Sequence, residues 1–279
     1  MALADALHAA ACGPAALLAA CRVELLSGGL PDADEPEAAA SGAAAAAPRH
    51  RWKLDGLHVV TDDAFADAHM LGKLEAAIDG GACAVQLRLK HVPAEEYVGW
   101  AWQVKALCLR RGVAFIIDDR VDVALAVDAD GVHVGRGDMP AAIARRLLGP
   151  HKIVGVSTYG SRAEVAAALR PEVDADYVGS PAVFATSTKP AAASAGVAHL
   201  GEMRQWVADE LSRRTPGPGG AAPGVMCPVV AIGGIAPANA AACVEAGADG
   251  LAVVSALLAP AQPSGVREAA AALCGTLPA

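Results

Sequence analysis

Aromatic residues are scarce in this 279-residue chain, at 4%, while hydrophobic residues as a whole reach 54%. A core of that composition is built from Ala, Val, Leu and Ile, which fill parallel sheets and the helices covering them, and this points to an α/β protein. Basic charge is also short: 22 Lys and Arg stand against 30 Asp and Glu, a formal net charge of −8. A broad nucleic-acid footprint needs Lys and Arg clustered on one face, so no nucleic-acid partner is expected and any phosphate site must be local. No run of eighteen apolar residues free of Gly or charge occurs, which argues against a membrane-spanning helix and for a soluble chain. The seven cysteines form no C-x-x-C pair and no Cys/His cluster at zinc spacing, so they read as reduced, mostly buried thiols. A nucleophile elbow and a Ser/His/Asp order are missing too, which leaves covalent catalysis without a candidate.

The first 50 residues differ from the rest. Residues 1–26 are rich in Ala and Leu and suit one helix, whereas residues 27–48 combine Gly, Pro, acids and an Ala tract, the composition of a linker. The start carries one Arg up to position 22 and no Ser, a poor match to a secretory signal or a transit peptide. The expectation is an N-terminal extension over 1–50, disordered or partly helical, before one domain over 51–279. From residue 57 onward, eight short apolar runs alternate with Ala-rich segments of helical length: 57–61, 84–89, 114–117, 131–134, 153–156, 177–179, 229–232 and 251–254. Segments such as 94–111 and 141–148 are long enough to return the chain parallel. Eight such units in roughly 220 residues predict a single (β/α)8 TIM barrel with active-site residues at the strand C-termini. An open doubly wound sheet would carry a Gly-rich turn after its first strand, and Thr61, Asp62 and Asp63 stand there instead. The Pro- and Gly-rich segment 213–224 reads as an inserted surface loop.

Five segments carry chemistry. Gln86, Arg88 and Lys90 alternate with Val85, Leu87 and Leu89, so the polar set shares the face not covered by helices. Two cations there suit a phosphate or pyrophosphate, or else an internal ion pair with a neighbouring acid. The third run ends in Asp118, Asp119 and Arg120, and Asp138 follows the fourth in Gly135-Arg136-Gly137-Asp138. Carboxylates from two adjacent loops can hold one Mg²⁺ that also takes substrate oxygens; a salt bridge, or a helix cap ahead of Met139-Pro140, is the alternative. After the sixth run, Thr186-Ser187-Thr188-Lys189 offers three hydroxyls and a cation, either an anion cradle or a solvated turn. The seventh ends in Gly233-Gly234 and the eighth in Val254-Ser255, where barrels often bind phosphate, although close packing would also explain Gly233. His133, alone in its strand, reads as a hydrogen-bonded core histidine.

In order and spacing, Val85 to Lys90, Ile116 to Arg120, Asp130 to Gly135, Phe184 to Lys189 and Val230 to Ile235 together resemble the thiamine phosphate synthase family over residues 57–258. The resemblance implies a transferase that joins hydroxymethylpyrimidine pyrophosphate to thiazole phosphate with Mg²⁺, by a dissociative step in which pyrophosphate leaves first. It implies that Gln86 contacts the pyrimidine, that Arg88, Lys90 and Lys189 hold the pyrophosphate, and that Asp119 and Asp138 ligate Mg²⁺. Ser157 falls near the reacting groups, Thr186 and Thr188 on the thiazole phosphate side, and Gly233, Gly234, Val254 and Ser255 around the thiazole phosphate group. It further implies small-molecule partners, a homo-oligomer in many members, a fused or separate pyrimidine kinase, and a cytoplasmic or plastid location.

Three departures stand out. Asp118 occupies a substrate-binding position that is usually Asn, adding a negative charge beside the pyrophosphate. Pro181 replaces a Gly, and segment 213–224 is longer than usual. Two other readings fit the same barrel: a thiazole tautomerase, which gives Arg88, Lys90, Asp119, Asp138 and Lys189 no leaving group to serve, and a noncatalytic phosphate-binding barrel.

Overall fold

Parallel strands covered by helices are buried on both faces, and the strand segments here are apolar along almost their whole length for that reason. In chain order they are β1 (Leu57–Val60), β2 (Ala84–Leu87), β3 (Ala114–Asp118), β4 (Gly131–Val134), β5 (Ile153–Ser157), β6 (Tyr177–Ala182), β7 (Val229–Ile232) and β8 (Gly250–Val253). All eight pair in sequence order and β8 returns to β1, which closes the expected (β/α)8 barrel. The structure, a computed structural model, describes residues 52–186, 194–213 and 227–278. The expected extension over 1–50, Thr188, Lys189 and nearly all of the 213–224 insertion lie outside the described residues. No helix among the described residues is long and apolar enough to cross a membrane.

The crossover helices are α1 (Met70–Asp79), α2 (Ala94–Arg111), α3 (Val121–Ala126), α4 (Ala141–Leu148), α5 (Arg162–Ala168), α6 (Ala198–Ser212) and α7 (Ala240–Glu245), followed after β8 by α8 (Ser255–Leu258) and α9 (Pro263–Cys274). α2 and α4 span the two segments read as helical from sequence. α2 has Glu95 and Glu96 in its first turn, Arg110 and Arg111 in its last, and a left-handed Gly112 at its C-cap. These charges complement the helix dipole, and the glycine stops the helix. Of the seven cysteines, the described ones are free thiols; Cys108, Cys227 and Cys243 are buried, Cys83 and Cys274 half-buried.

Few aromatics leave the barrel interior to small side chains. Its inner apolar cluster consists of Leu54, Val60, Ala84, Ala114, Ile116, Ile153, Tyr177, Val230 and Ala252. Gly131 also faces inward: a Cβ there would lie 2.2 Å from the Ile153 carbonyl oxygen. Large and absent side chains thus alternate around the barrel, as the taper of a small barrel requires.

Strand ends differ from the sequence reading at six strands: β1 stops one residue earlier, at Val60, β5 runs one further, to Ser157, β8 is shifted one residue earlier, to Gly250–Val253, and β2, β3 and β6 differ as well. β2 stops at Leu87 rather than Leu89 because the Thr61 hydroxyl accepts from the Arg88 amide at 2.7 Å and donates to its carbonyl at 3.0 Å, in place of a ladder rung. β3 extends to Asp118, which still pairs with His133 of β4. β6 runs to Ala182 through a register shift after Gly179. Pro181 sits within that irregularity, where a missing N–H costs no ladder bond, and the Ser180 hydroxyl accepts from the Ile232 amide at 3.2 Å.

The Gly131 contact is with backbone and cannot be relieved by a rotamer change. Gly131→Ala is expected to lower unfolding stability by about 3 kcal/mol, read as the urea midpoint; an unchanged midpoint would contradict this packing.

Candidate active site at the barrel mouth

All eight strand C-termini open onto one cavity of about 500 Å³. The loops after β1 and β2 build its first wall. Arg88 Nη1 donates to Asp62 Oδ2 at 2.6 Å, and Asp62 also caps the 3₁₀ turn Asp63–Phe65 by accepting from the Ala64 amide. The Asp63 carboxylate accepts from the amides of Lys90 and His91 at 2.9–3.0 Å, fastening the end of the Gln86-Arg88-Lys90 segment to the neighbouring loop. Burial pushes the Asp63 carboxyl up, but these amides outweigh it and hold the group below its ordinary value.

β3 supplies the balancing charge. Asp118 is buried at the strand end and accepts from Gln86 Nε2 at 2.9 Å, with Lys90 Nζ at 3.4 Å and Arg88 Nε at 3.5 Å. Asp119 pairs with Lys90. Its backbone is left-handed at φ 62°, a conformation Asp tolerates better than most residues, and its amide donates to the His133 carbonyl at 2.8 Å. Of the two readings of Arg88 and Lys90, anion site or internal ion pair, the ion pair is present, and the paired cations line the cavity.

Asp138 lines the same cavity. It caps no helix, because α4 has Pro140 at its N-cap; instead its Oδ2 accepts from the Gly135 amide at 2.8 Å and closes that loop. Among the described residues no group of three or more His, Cys, Asp or Glu forms a complete metal cage. Two carboxylates facing a cavity are a hard, oxygen-only partial set, which fits Mg²⁺ taking its remaining ligands from water and phosphate oxygens.

On the far side, Gly233 and Gly234 have φ of 99° and 63°, and a Cβ on Gly234 would meet the Ala185 carbonyl at 2.5 Å. Both conformation and space therefore demand glycine. Asn239 locks this loop by donating to the Gly234 carbonyl and accepting from the Ala236 amide. Val254 and Ser255 follow β8 at the start of α8, and Thr186 reaches the cavity from the β6 loop. Thr188 and Lys189 belong to the undescribed part of that loop.

The floor holds residues whose part in the site sequence reasoning missed. His133 lines the cavity rather than serving the core alone: its Nδ1 lies 2.9 Å from the Tyr177 hydroxyl and its Nε2 lies 2.8 Å from Ser157 Oγ. Beneath them His58 packs edge-on against Tyr177 and bonds through Nε2 to the Leu54 carbonyl at 2.9 Å. Burial lowers the His58 pKa to about 4, the carbonyl only partly opposing it. At the rim the Arg136 guanidinium stacks over the Tyr159 ring at 4.3 Å and pairs with Glu164. Inward alternation along β4 was the available signal for His133; Asn239 and the Arg136–Tyr159 stack left none.

A parallel eight-stranded barrel with paired cations, facing carboxylates and a glycine-lined loop at one mouth defines a TIM-barrel protein with a charged cavity at its strand C-termini. The family model described as thiamine monophosphate synthase matches residues 57–257. The thiamine-phosphate synthase of Chloroflexus aurantiacus is 47% identical over 210 residues, covering 75% of this chain and 86% of that one. The thiamine biosynthesis bifunctional protein ThiED of Geobacter sulfurreducens is 36% identical over 217 residues, covering 77% of this chain and 39% of that protein. Among solved structures, a thiamine phosphate pyrophosphorylase from Pyrococcus furiosus superposes with a TM-score of 0.63 at 33% identity, covering 79% of this chain and 94% of the other. The chain belongs to the thiamine monophosphate synthase family.

The buried His58 has a pH consequence. Its folded pKa of about 4 lies below its ordinary 6.5, so the unfolded chain takes up the proton first as pH falls. Its contribution is full above pH 6.5 and is lost between 6.5 and about 4, on the order of 3 kcal/mol in all. Urea unfolding of His58→Gln across this window is expected to show a flatter pH dependence than the parent; equal slopes would contradict a neutral buried His58.

Proposed function

We propose that the cavity condenses 4-amino-2-methyl-5-hydroxymethylpyrimidine pyrophosphate with thiazole phosphate, releasing thiamine phosphate and pyrophosphate. The C–O bond to pyrophosphate breaks, the electron pair leaves with that oxygen, and the thiazole ring nitrogen forms the new C–N bond to the methylene carbon. Such a reaction asks the protein to position two rings and to stabilise a leaving anion rather than to supply a strong base.

The observation that carries this reading is the Arg88–Lys90 wall facing the Gly233-Gly234 loop across one cavity, an anchorage for two phosphorylated substrates at once. Arg88, Lys90 and Lys189 would hold the pyrophosphate, with Asp118 beside it, Gln86 the pyrimidine, and Thr186, Thr188, Gly233, Gly234, Val254 and Ser255 the thiazole phosphate, with Ser157 between them. Asp119 and Asp138 would hold Mg²⁺, whose charge would offset that of the pyrophosphate. Electrostatics supports the ion: Arg88 and Lys90 already face three carboxylates, Asp62, Asp118 and Asp119, so the incoming anion needs a cation of its own. A tautomerase would leave the Arg88–Lys90 wall without a leaving group. The bifunctional relative, only 39% of whose length this chain covers, supports a pyrimidine kinase, fused or separate, as supplier of the pyrophosphate substrate. A homo-oligomer and a cytoplasmic or plastid setting belong to the same reading.

The test is incubation with both substrates, with and without Mg²⁺, following thiamine phosphate by its oxidised fluorescence. Product that requires both substrates and Mg²⁺ is expected; none from folded protein would overturn the reading. Arg88→Ala is expected to lower turnover about 100-fold or more with the fold retained, and unchanged turnover would remove Arg88 from the site. Asp118 is not an isolated charge, so Asp118→Asn is expected to preserve or raise activity; abolition would identify the acid as a ligand.

A further inference from the structure

His133 of β4, Gly155 of β5 and Tyr177 of β6 stand side by side in register on the inner face of the barrel. Gly155 has no side chain to separate its neighbours. A Cβ there would lie 2.2 Å from Tyr177 Cζ and 2.5 Å from its hydroxyl, so the phenol occupies the space a side chain at 155 would take. The rings of His133 and Tyr177 stack across this gap at 5.3 Å between centroids and 23° between planes. One level higher, β5 presents Ser157, whose Oγ lies 2.8 Å from His133 Nε2. Gly179, the register partner of Ser157, keeps that space open: a Cβ there would lie 3.2 Å from the imidazole.

The direction of this chain of hydrogen bonds follows from its buried end. Tyr177 is 2% exposed, and among the described residues its hydroxyl has one hydrogen-bond partner, His133 Nδ1 at 2.9 Å. If Nδ1 carried the imidazole proton, the phenol would accept and its own proton would be a buried donor with nowhere to go, the costlier defect. With the phenol donating to Nδ1, only a lone pair goes unused. Burial, with the Asp118 and Asp176 charges adding to it, raises the phenol pKa well above 10, so the proton is retained. Nε2 then carries the imidazole proton and donates to Ser157 Oγ, whose own proton is left to turn toward the cavity.

We infer that Tyr177 and His133 are positioning residues that fix Ser157 as a hydrogen-bond donor into the cavity, aimed at an oxygen of the leaving pyrophosphate. The inference rests on the synthase reading for the identity of the acceptor. In that reaction the pyrophosphate oxygen is the group that gains negative charge, so a donor held ready for it acts on turnover more than on substrate binding.

The first test needs no substrate. Histidine ¹⁵N shifts of the parent chain are expected to show His133 as the Nε2–H tautomer, and Tyr177→Phe, which removes one oxygen and keeps the ring, is expected to lose that preference. In turnover, Tyr177→Phe is expected to lower kcat about tenfold with KM little changed. His133→Gln, whose side-chain amide can place an N–H near the former Nε2, is expected to recover most of the kcat lost in His133→Ala. An Nδ1–H tautomer in the parent chain would overturn the inference, as would a Tyr177→Phe enzyme with full kcat. The tautomer is read without substrate, so it judges the hydrogen-bond chain even if no thiamine phosphate forms; product formed by a chain with the Nδ1–H tautomer would sink this inference and leave the synthase reading standing.

Discussion

Two cations held over the barrel mouth by three carboxylates set the terms for everything else in this site. Arg88 and Lys90 could not sit partly desolvated without partners, and Asp62, Asp118 and Asp119 supply them from the loops on either side. Side-chain to backbone bonds then fix the loop: Asp63 takes the amides of Lys90 and His91, and Thr61 bridges both backbone groups of Arg88. The result is a rigid, charge-compensated wall rather than a bare positive patch, in keeping with a chain whose formal net charge is −8.

Close packing around that wall comes from the removal of side chains. Glycine at 131 and 155 lets a neighbouring residue intrude, and the left-handed Gly233 and Gly234 carry the backbone up to Ala182 and Ala185. Because the interior is filled by Ala, Val, Ile and Leu with a single tyrosine, polar groups on its face find defined partners: Gln86 meets Asp118, His133 meets Tyr177 and Ser157, and His58 meets the Leu54 carbonyl. The scarcity of aromatic residues noted from composition is thus expressed as a barrel interior filled mostly by aliphatic side chains.

Most of the fold was legible because parallel-strand runs and crossover helices have distinct periods: all eight strands and the helices α2 and α4 lie where the pattern puts them. What failed was local. The end of β2 was misjudged because the rung beyond Leu87 is made by the Thr61 side chain, 27 positions from Arg88. Asp118, read from sequence only as an added negative charge, is paired, and its partners lie 28 and 30 residues earlier in sequence and meet it only once β2 and β3 are adjacent. His133 was assigned to the core because nothing in a single sequence shows that Gly155 leaves the space through which it stacks on Tyr177 and reaches Ser157.

The central claim is that this wall cannot take up pyrophosphate by itself, since its cations are already outnumbered by acids. Calorimetric titration of the chain with inorganic pyrophosphate, with and without Mg²⁺, tests it directly. Binding that needs Mg²⁺ is the expected result; equally tight binding in the presence of a chelator would show that Arg88 and Lys90 suffice and would contradict the account.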